Sequence, residues 1–393
     1  MIAFVQPFGL YAPGGGSRIL RGLLDCDHPP ALSIYTGVHA PVPSQGIEEI
    51  HLSTRPSMGR LEKTRFHKRF YAFDSVFESR FKARLRKLIA ERGIRAIHAI
   101  PHGFDLVPVW NVAQEMGIPF FLNVHDELQY VTSGHPSMPR MVEALGSAWR
   151  GAADAFVISD EMGKEYSARY GARPYEAITD GLTTVAESPL ARPARSLRVY
   201  FMGLFHFRYQ ANLRALLDAL KLVRKDHPDW DISVTCRCRS IFGITEEAFP
   251  LTVLPFASEA EVAKDMLSAD LLYQPLPFEE EAANFGKFSL STKLVTYVGS
   301  GLPILYHGPG DTAAARLLAG HDAAVTATTL DPEGIARLLI EAMQRRDTIV
   351  NHALSLARER FMLADQQRRF WTPIRAVLEG KAPPPRTVLQ AQG

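Results

Sequence analysis

The sequence predicts an α/β protein of two domains, each built on a parallel β-sheet. Its 393 residues exceed the size that a single hydrophobic core normally supports. Strand-like and helix-like segments alternate, as in the strand 96–100, the helix 110–115 and the strand 119–124, and this alternation is typical of parallel βαβ units. A hydrophobic fraction of 46% with 22% charged residues is that of a globular protein.

We expect an N-terminal Rossmann-like domain over residues 1–187 and a second one over 197–362. The segment 188–196 between them, SPLARPARS, is polar and contains proline, which is typical of an interdomain linker. A C-terminal helix is predicted over residues 363–380. The Pro-rich segment 381–393 is expected to be disordered.

A glycine-rich loop follows the first predicted strand, residues 2–5. Gly14, Gly15 and Gly16 precede a helix that begins at Ser17. Because glycine lets the backbone approach a ligand closely, this loop is a candidate binding element. Its spacing differs from the G-x-G-x-x-G of dinucleotide-binding loops, so a plain turn is the alternative.

The stretch 270–305 is predicted to form a strand, a loop, a helix, a tight turn and a second strand. Ser291 is expected as the helix N-cap, with Thr292 and Lys293 in the first turn. A helix N-terminus has free N–H groups that suit a phosphate, and Lys287 and Lys293 flank this one. The Gly-rich Walker pattern is absent, so an ordinary capped helix with two surface lysines is the alternative.

The text S-T-K-L-x-T-Y-x-x-x-G-L-P-I, which begins at Ser291, resembles the donor-binding segment of GT-B glycosyltransferases. It is most similar to the large retaining family 4, whose usual text is close to S-x-T-K-L-x-E-Y-x-A-x-G-x-P-V. There the helix N-terminus holds the nucleotide diphosphate of a sugar donor, which implies this role for Ser291, Thr292 and Lys293. Thr296 stands where the family has the Glu that holds the ribose, and Phe288 stands where its partner Glu would fall.

Three further elements resemble the same family. Gly15 and Gly16 match a Gly-Gly loop that lies close to the donor sugar and the acceptor in many GT-B enzymes. His125 follows a buried strand, where the family has a His that contacts the donor sugar near the transfer centre; a loop histidine is the alternative. Gly203 opens a loop that often carries an Arg paired with the donor phosphates, and Arg208 is the candidate.

The resemblance implies two Rossmann-like domains that face each other across a cleft, with a C-terminal helix crossing back to the first domain. It implies glycosyl transfer from a nucleotide-diphosphate sugar to a hydroxyl of a glycan, lipid-linked or other glycoconjugate acceptor, with retention, as in bacterial polysaccharide biosynthesis. The donor is then a co-substrate, and neither a further cofactor nor a metal is implied. A nucleotide-sugar epimerase or a phosphorylase on the same fold is one alternative. A non-catalytic binding or scaffold protein is another, because the paired Glu residues are missing.

The segment 55–95 is strongly basic. It contains 13 Lys or Arg and 4 acids, a local balance of +9 in a chain whose formal net charge is +2. Large aromatic side chains such as Phe66, Phe70 and Phe73 lie among these charges. The segment is therefore a candidate surface for an anionic membrane. Two amphipathic helices with solvated outer faces are the alternative, and nucleic acid is a third option that no recognisable binding motif supports.

Cysteine content and hydropathy favour a cytoplasmic protein, peripheral at the inner face of the membrane if the basic segment docks there. The odd number of cysteines, Cys26, Cys236 and Cys238, gives no disulfide framework, so we expect reduced thiols. The first residues lack a basic leader with an apolar core, so no signal peptide is expected. No stretch approaches the length of a membrane span.

Overall fold

The computed structural model describes residues 1–40, 46–64, 66–193, 195–244, 249–279 and 286–382. The chain divides into two compact units, Met1–Gly181 with Leu363–Gly393, and Leu182–Met362. The segment 188–196, expected as the linker, falls within the second unit. From residue 383 onward, the predicted tail lies outside the described residues.

The first unit contains a parallel sheet of seven strands in the order β3-β2-β1-β4-β5-β6-β7. Its central strands are apolar and buried along their whole length, because helices cover both faces of the sheet. The strands are β1 Ile2–Gln6, β2 Ala31–Tyr35, β3 Glu49–His51, β4 Ala96–Ala99, β5 Phe120–Val124, β6 Asp154–Val157 and β7 Glu176–Ala177. The α-helices are α1 Gly15–Leu24, α2 Ala72–Val76, α3 Glu78–Arg92, α4 Leu106–Glu115, α5 Leu128–Val131, α6 Met138–Gly151 and α7 Asp160–Tyr170.

The second unit repeats this plan with a parallel sheet of six strands in the order β10-β9-β8-β11-β12-β13. Leu213, Leu216 and Leu220 form the buried face of its first helix, as their spacing predicts. The strands are β8 Ser196–Met202, β9 Asp231–Arg237, β10 Leu251–Leu254, β11 Leu271–Pro275, β12 Ile304–His307 and β13 Val325–Ala327. The α-helices are α8 Gln210–Asp226, α9 Glu259–Met266, α10 Thr292–Val298, α11 Ala313–Gly320, α12 Pro332–Gln344 and α13 Arg346–Arg360.

The chain returns to the first unit through the helix α14, Leu363–Leu378. Phe370 of this helix stacks on Phe4 of β1, with ring centroids 6.3 Å apart. The indole N–H of Trp371 donates to the carbonyl oxygen of Leu23 at 2.7 Å. These contacts cover one face of the first sheet, so the predicted return of the C-terminal helix is confirmed.

Both sheets have a point where the strand order reverses, between β1 and β4 in the first unit and between β8 and β11 in the second. In doubly wound sheets, ligands bind beyond the carboxyl ends of the strands at such a point. The α/β prediction with two parallel sheets is confirmed. The loops after β1, β4 and β5, and the loops after β8 and β11, are therefore the candidate ligand-binding elements.

The structure also reports on the cysteines and on membrane spans. Cys26, Cys236 and Cys238 are free thiols, and the last two are buried. Within the described part of the chain, every helix is too short or too polar to pass through a lipid bilayer.

Candidate functional site

The predicted helix start in the second unit is confirmed. The hydroxyl of Ser291 caps α10 by accepting the backbone N–H of Leu294 at 3.2 Å. The hydroxyl of Tyr297, within the same helix, accepts the backbone N–H of Met202 at 3.1 Å. Because Met202 is the last residue of β8, this buried hydrogen bond fixes α10 beside the carboxyl end of that strand. Thr292 and Lys293 consequently lie in the first turn of a helix held at the switch point.

The Lys293 amine lies among aromatic rings rather than beside a carboxylate. Its Nζ atom is 4.1 Å from the ring centroid of Phe201 and 5.9 Å from that of Tyr209, which are cation–π distances. No acidic side chain within the described ranges forms an ion pair with it. Burial penalises the charged form and lowers the pKa of Lys293 to about 7. The buried thiols of Cys236 and Cys238 oppose that shift only in part.

The backbone conformation requires a glycine at position 203, directly after β8. Its φ of +96° lies in the region that favours glycine. A Cβ atom at this position would stand 3.6 Å from Cε of Lys293, so the loop and the lysine are neighbours. The Gly203 N–H donates to the carbonyl oxygen of Arg237 at 3.0 Å, which anchors the turn.

Arg208 lies on the loop that Gly203 opens, next to Tyr209. Its guanidinium pairs with Glu279 at 2.8 Å and lies 5.5 Å from the ring centroid of Phe207. The structure therefore brings Gly203 and Lys293 into contact. It places Arg208 one residue from Tyr209, a ring that Lys293 approaches, but with a carboxylate partner that sequence analysis did not identify.

Two other predicted positions take up different contacts. The Thr296 hydroxyl donates to the backbone carbonyl of Thr292 at 3.2 Å, so it is turned along α10. The Lys287 amine lies 5.4 Å from the ring centroid of Phe288, a buried residue. The ring that Lys287 approaches is thus a different one from the two that Lys293 approaches. A ribose-holding carboxylate is absent from positions 288 and 296, as the sequence indicates.

In the first unit, the glycine loop and His125 come together. Gly15 begins α1, and the Gly14 N-cap makes no side-chain capping hydrogen bond. A Cβ atom on Gly16 would stand 2.9 Å from the Phe8 ring and 3.5 Å from Nδ1 of His125. Only glycine fits at position 16 without displacing a ring. The loop after β1 and the residue after β5 therefore share one location at the carboxyl edge.

His125 is neutral in these surroundings. Only 4% of the residue is exposed, and neither ring nitrogen has a hydrogen-bond partner among the described residues. Its pKa is held well below 6.5 by burial first, and then by the neighbouring His102 and His98. A neutral imidazole presents one N–H donor and one acceptor, which suits a ligand hydroxyl.

Sequence analysis missed His102 and Asp126 as neighbours of His125. The Nε2 atom of His102 is 3.3 Å from Oδ2 of Asp126, and the His102 and His125 rings are 6.1 Å apart. Burial lowers the pKa of His102, and the Asp126 carboxylate opposes this shift. Both residues follow the carboxyl ends of neighbouring strands, β4 and β5. Their positions after two neighbouring strands were the sequence signal that could have identified them.

Asp105 is a second ionisable group that sequence analysis did not identify. It is buried beyond the carboxyl end of β4, where its Oδ2 atom accepts the hydroxyl of Thr36 at 3.0 Å. Burial raises the pKa of Asp105 to about 7, although the Thr36 hydrogen bond favours the carboxylate. The first unit thus carries several ionisable groups along the same edge.

No protein-family model matches this sequence, and neither does any curated protein. Solved structures match nearly the whole chain. HepE of Anabaena in complex with UDP has a TM-score of 0.64 at 16% identity, over 96% of this chain and 99% of HepE. The UDP-forming α,α-trehalose-phosphate synthase of Burkholderia vietnamiensis also has a TM-score of 0.64. Its identity is 12%, over 95% of this chain and 99% of that chain. The chain has the GT-B fold.

A third GT-B structure shows how widely this fold is used. The putative UDP-N-acetylglucosamine 2-epimerase of Listeria monocytogenes has a TM-score of 0.56 at 12% identity, over 98% of this chain and 99% of that chain. At such identities the likeness concerns the fold alone, since one fold hosts several chemistries. The activity of the present GT-B protein has to be argued from its own residues.

Proposed function

We propose that this GT-B protein is a glycosyltransferase of the retaining type that its donor segment resembles. It transfers a sugar from a nucleotide-diphosphate donor to a hydroxyl of a glycan, lipid-linked or other glycoconjugate acceptor. The observation that carries the proposal is the Lys293 amine, held over Phe201 beside Gly203 at the switch point of the second sheet. A cation that pairs with no carboxylate among the described residues suits a diphosphate at that position.

The neighbouring structures favour a uridine nucleotide as the first donor to test. HepE has been solved with UDP and with UDP and glucose, and the Burkholderia enzyme is named for forming UDP. Carrying this nucleotide over to the present chain is part of the proposal.

In the proposed reaction, the bond between the anomeric carbon of the sugar and the diphosphate oxygen breaks through an oxocarbenium-like transition state. The oxygen of the acceptor hydroxyl bonds to that carbon, and its proton passes to the leaving diphosphate. Negative charge then grows on the leaving diphosphate. We assign its stabilisation to the Lys293 ammonium and the Arg208 guanidinium, aided by backbone N–H groups at the start of α10, and not to a metal ion. The neutral His125 is assigned to a hydroxyl of the donor sugar, and the missing side chain of Gly16 lets the Phe8 ring and His125 lie close to the loop after β1.

The test is a panel of nucleotide-diphosphate sugars, each incubated with and without mixed hydroxyl acceptors. Release of nucleotide diphosphate together with a new glycoside supports the proposal. An epimerised nucleotide sugar formed without acceptor would point to the epimerase chemistry represented among the structural neighbours. Nucleotide binding with no turnover of any donor would favour a binding or scaffold protein.

Replacing Thr296 by Glu is expected to strengthen binding of the nucleotide diphosphate by about tenfold. The Thr296 side chain is engaged with the helix backbone and is too short to reach a ribose, whereas a carboxylate accepts charge-assisted hydrogen bonds from both ribose hydroxyls. Calorimetry measures the affinity, and Thr296→Ala is the control that should change it little. An unaltered affinity in folded Thr296→Glu would mean that the ribose lies elsewhere.

Binding of the nucleotide diphosphate is expected to weaken as the pH rises above about 7. Lys293, with a pKa of about 7, is half neutral there, and only its ammonium form attracts the diphosphate. Binding therefore takes up a proton, and the affinity should fall by up to about tenfold per pH unit. The Cys236 and Cys238 thiols do not add to this pH dependence, because burial raises their pKa values.

Calorimetry in buffers of different ionisation enthalpy measures this proton uptake at pH 7.5 to 9. The control is Lys293→Met, which should bind weakly at every pH and take up no proton at this site. A wild-type affinity that stays constant across this range would remove Lys293 from the phosphate site.

A further inference from the structure

The charges of the basic segment 55–95 separate into two classes in the structure. Each of its four acids is already engaged: Glu62 with Arg55, Asp74 with Arg55 and His135, Glu78 with Arg140, and Glu91 with Lys87. Several of its cations also have acidic partners. Lys82 and Arg86 both pair with Glu115 of α4, and Arg92 pairs with Glu48.

The remaining cations whose side chains the structure describes have no acidic partner among the described residues, and they are exposed. They are Arg60, Lys68, Arg69, Arg80, Arg84 and Arg95, of which Arg95 donates to the backbone carbonyl oxygen of Leu378. Among the described cations without an acidic partner, all but Arg95 lie between Arg60 and Arg84.

Helix geometry places two of these cations on one flank of α3. The buried row of this helix is Phe81, Leu85 and Ile89. Arg80 and Arg84 each precede a member of this row by one residue, whereas Lys82 and Arg86 each follow one. Successive residues turn by about 100°, so the two pairs lie on opposite sides of the buried row. The Lys82 side faces α4, and the Arg80 side has no acidic partner in the described part of the chain.

The free flank continues into α2. The backbone N–H of Phe77 bonds to the carbonyl oxygen of Phe73, and that of Phe81 to Phe77, both at 3.0 Å, so helical bonding runs through the junction. Val76, Arg80 and Arg84 are spaced four residues apart and therefore line up. Val76 is 69% exposed. An exposed valine thus precedes two unpaired arginines on the same flank.

A second pairing of cation and apolar side chain lies just upstream. Phe66 is 43% exposed, and the guanidinium of Arg69 lies 4.9 Å from its ring centroid. Leu61, next to Arg60, is also exposed. Exposed apolar side chains interleaved with cations that lack acidic partners are typical of surfaces that lie on anionic bilayers, where apolar groups enter the headgroup region and cations contact lipid phosphates.

From this arrangement, we infer that the exposed cations and apolar side chains described between Arg60 and Arg84 form a docking surface for an anionic lipid membrane, centred on the flank of Val76, Arg80 and Arg84. That the docked enzyme then uses a lipid-linked acceptor rests on the proposed function, whereas the docking itself does not. Nucleic acid would attract the same cations, but it gives no role to the exposed Val76 and Leu61.

The experiment measures co-sedimentation of the full chain with vesicles of phosphatidylcholine, with and without phosphatidylserine. Binding is expected only with phosphatidylserine and should weaken as salt is raised. Arg80→Gln with Arg84→Gln should lower the partition coefficient by about 30-fold, since each surface cation contributes about fivefold. The matched control, Lys82→Gln with Arg86→Gln, removes the same charge from the same helix and should cost less than about threefold, because both cations are held at the Glu115 carboxylate on the side that faces α4.

Val76→Ser tests the apolar contribution and should lower binding to the vesicles by about fivefold. This loss should persist when the salt concentration is raised. An equal loss for the two charge pairs would show a general charge effect and overturn the oriented surface. Binding to a single-stranded oligonucleotide but not to vesicles would also overturn it. Because the assay contains neither donor nor acceptor, its outcome is independent of whether the protein transfers sugars.

Discussion

Replacing Lys293 by Met is expected to lower turnover by about a hundredfold, the range found when one electrostatic contact to a transition state is removed. Met has a similar length and keeps the apolar contact with Phe201, so the substitution removes the charge and little else. No acidic side chain pairs with Lys293 in the described chain, so none of the described carboxylates loses a partner. The variant should therefore fold as the wild type does.

Lys221→Met is the matched control. Lys221 lies in the same unit, exposed on α8, and pairs with Asp218 at 2.7 Å. Losing this surface cation removes the same charge from the protein and should leave turnover unchanged. If Lys293→Met also kept full turnover while folding normally, the diphosphate would have to be bound elsewhere.

Arg208→Gln extends the same test and is expected to lower turnover by a similar factor. Glu279 then loses its partner, so the segments that carry Arg208 and Glu279 can also rearrange. Calorimetric binding of the nucleotide diphosphate separates the two causes. A lost phosphate contact weakens binding of the nucleotide diphosphate. A rearranged segment also changes the thermal unfolding of the variant.

Local signals made the start of α10 predictable. Ser291 is a preferred capping residue, and the glycines at 299 and 301 mark the end of the helix, so neighbouring residues alone indicate both limits. The contact of Lys293 with Gly203 and Phe201 could not be predicted in the same way. It joins residues about 90 positions apart, and it depends on the order of strands β8 and β11 in the sheet.

The basic segment shows the same limit. Its charge excess can be counted from the sequence, but the partners that compensate some of its cations, Glu48 and Glu115, lie outside it. The packing of α3 on α4 and the ion pair of Arg92 with Glu48 are tertiary contacts, and they distinguish these compensated cations from the cations without an acidic partner. His102 and Asp126 were missed for a related reason, since a single histidine or aspartate after a strand is common and becomes informative only beside its spatial neighbours.

Replacing His125 by Phe is expected to lower kcat/KM for the donor by about a hundredfold, because the phenyl ring fills the site and provides no hydrogen bond at the transition state. Folding should be unharmed or improved, since two buried ring nitrogens without partners among the described residues are replaced by carbon. The pH at which activity changes should stay the same, because the pKa of His125 is held well below 6.5 and its ring does not titrate near neutrality.

His98→Phe is the control for this change. His98 is equally buried, has no hydrogen-bond partner among the described residues, and burial lowers its pKa to about 3. It packs between Phe4 and Phe370, with ring centroids 4.9 and 5.2 Å away, in an apolar layer beneath α14. His98→Phe should therefore hold or raise the unfolding temperature with full activity. If both variants were stable and both turned over normally, His125 would be a loop histidine, and the donor sugar would be bound by other groups.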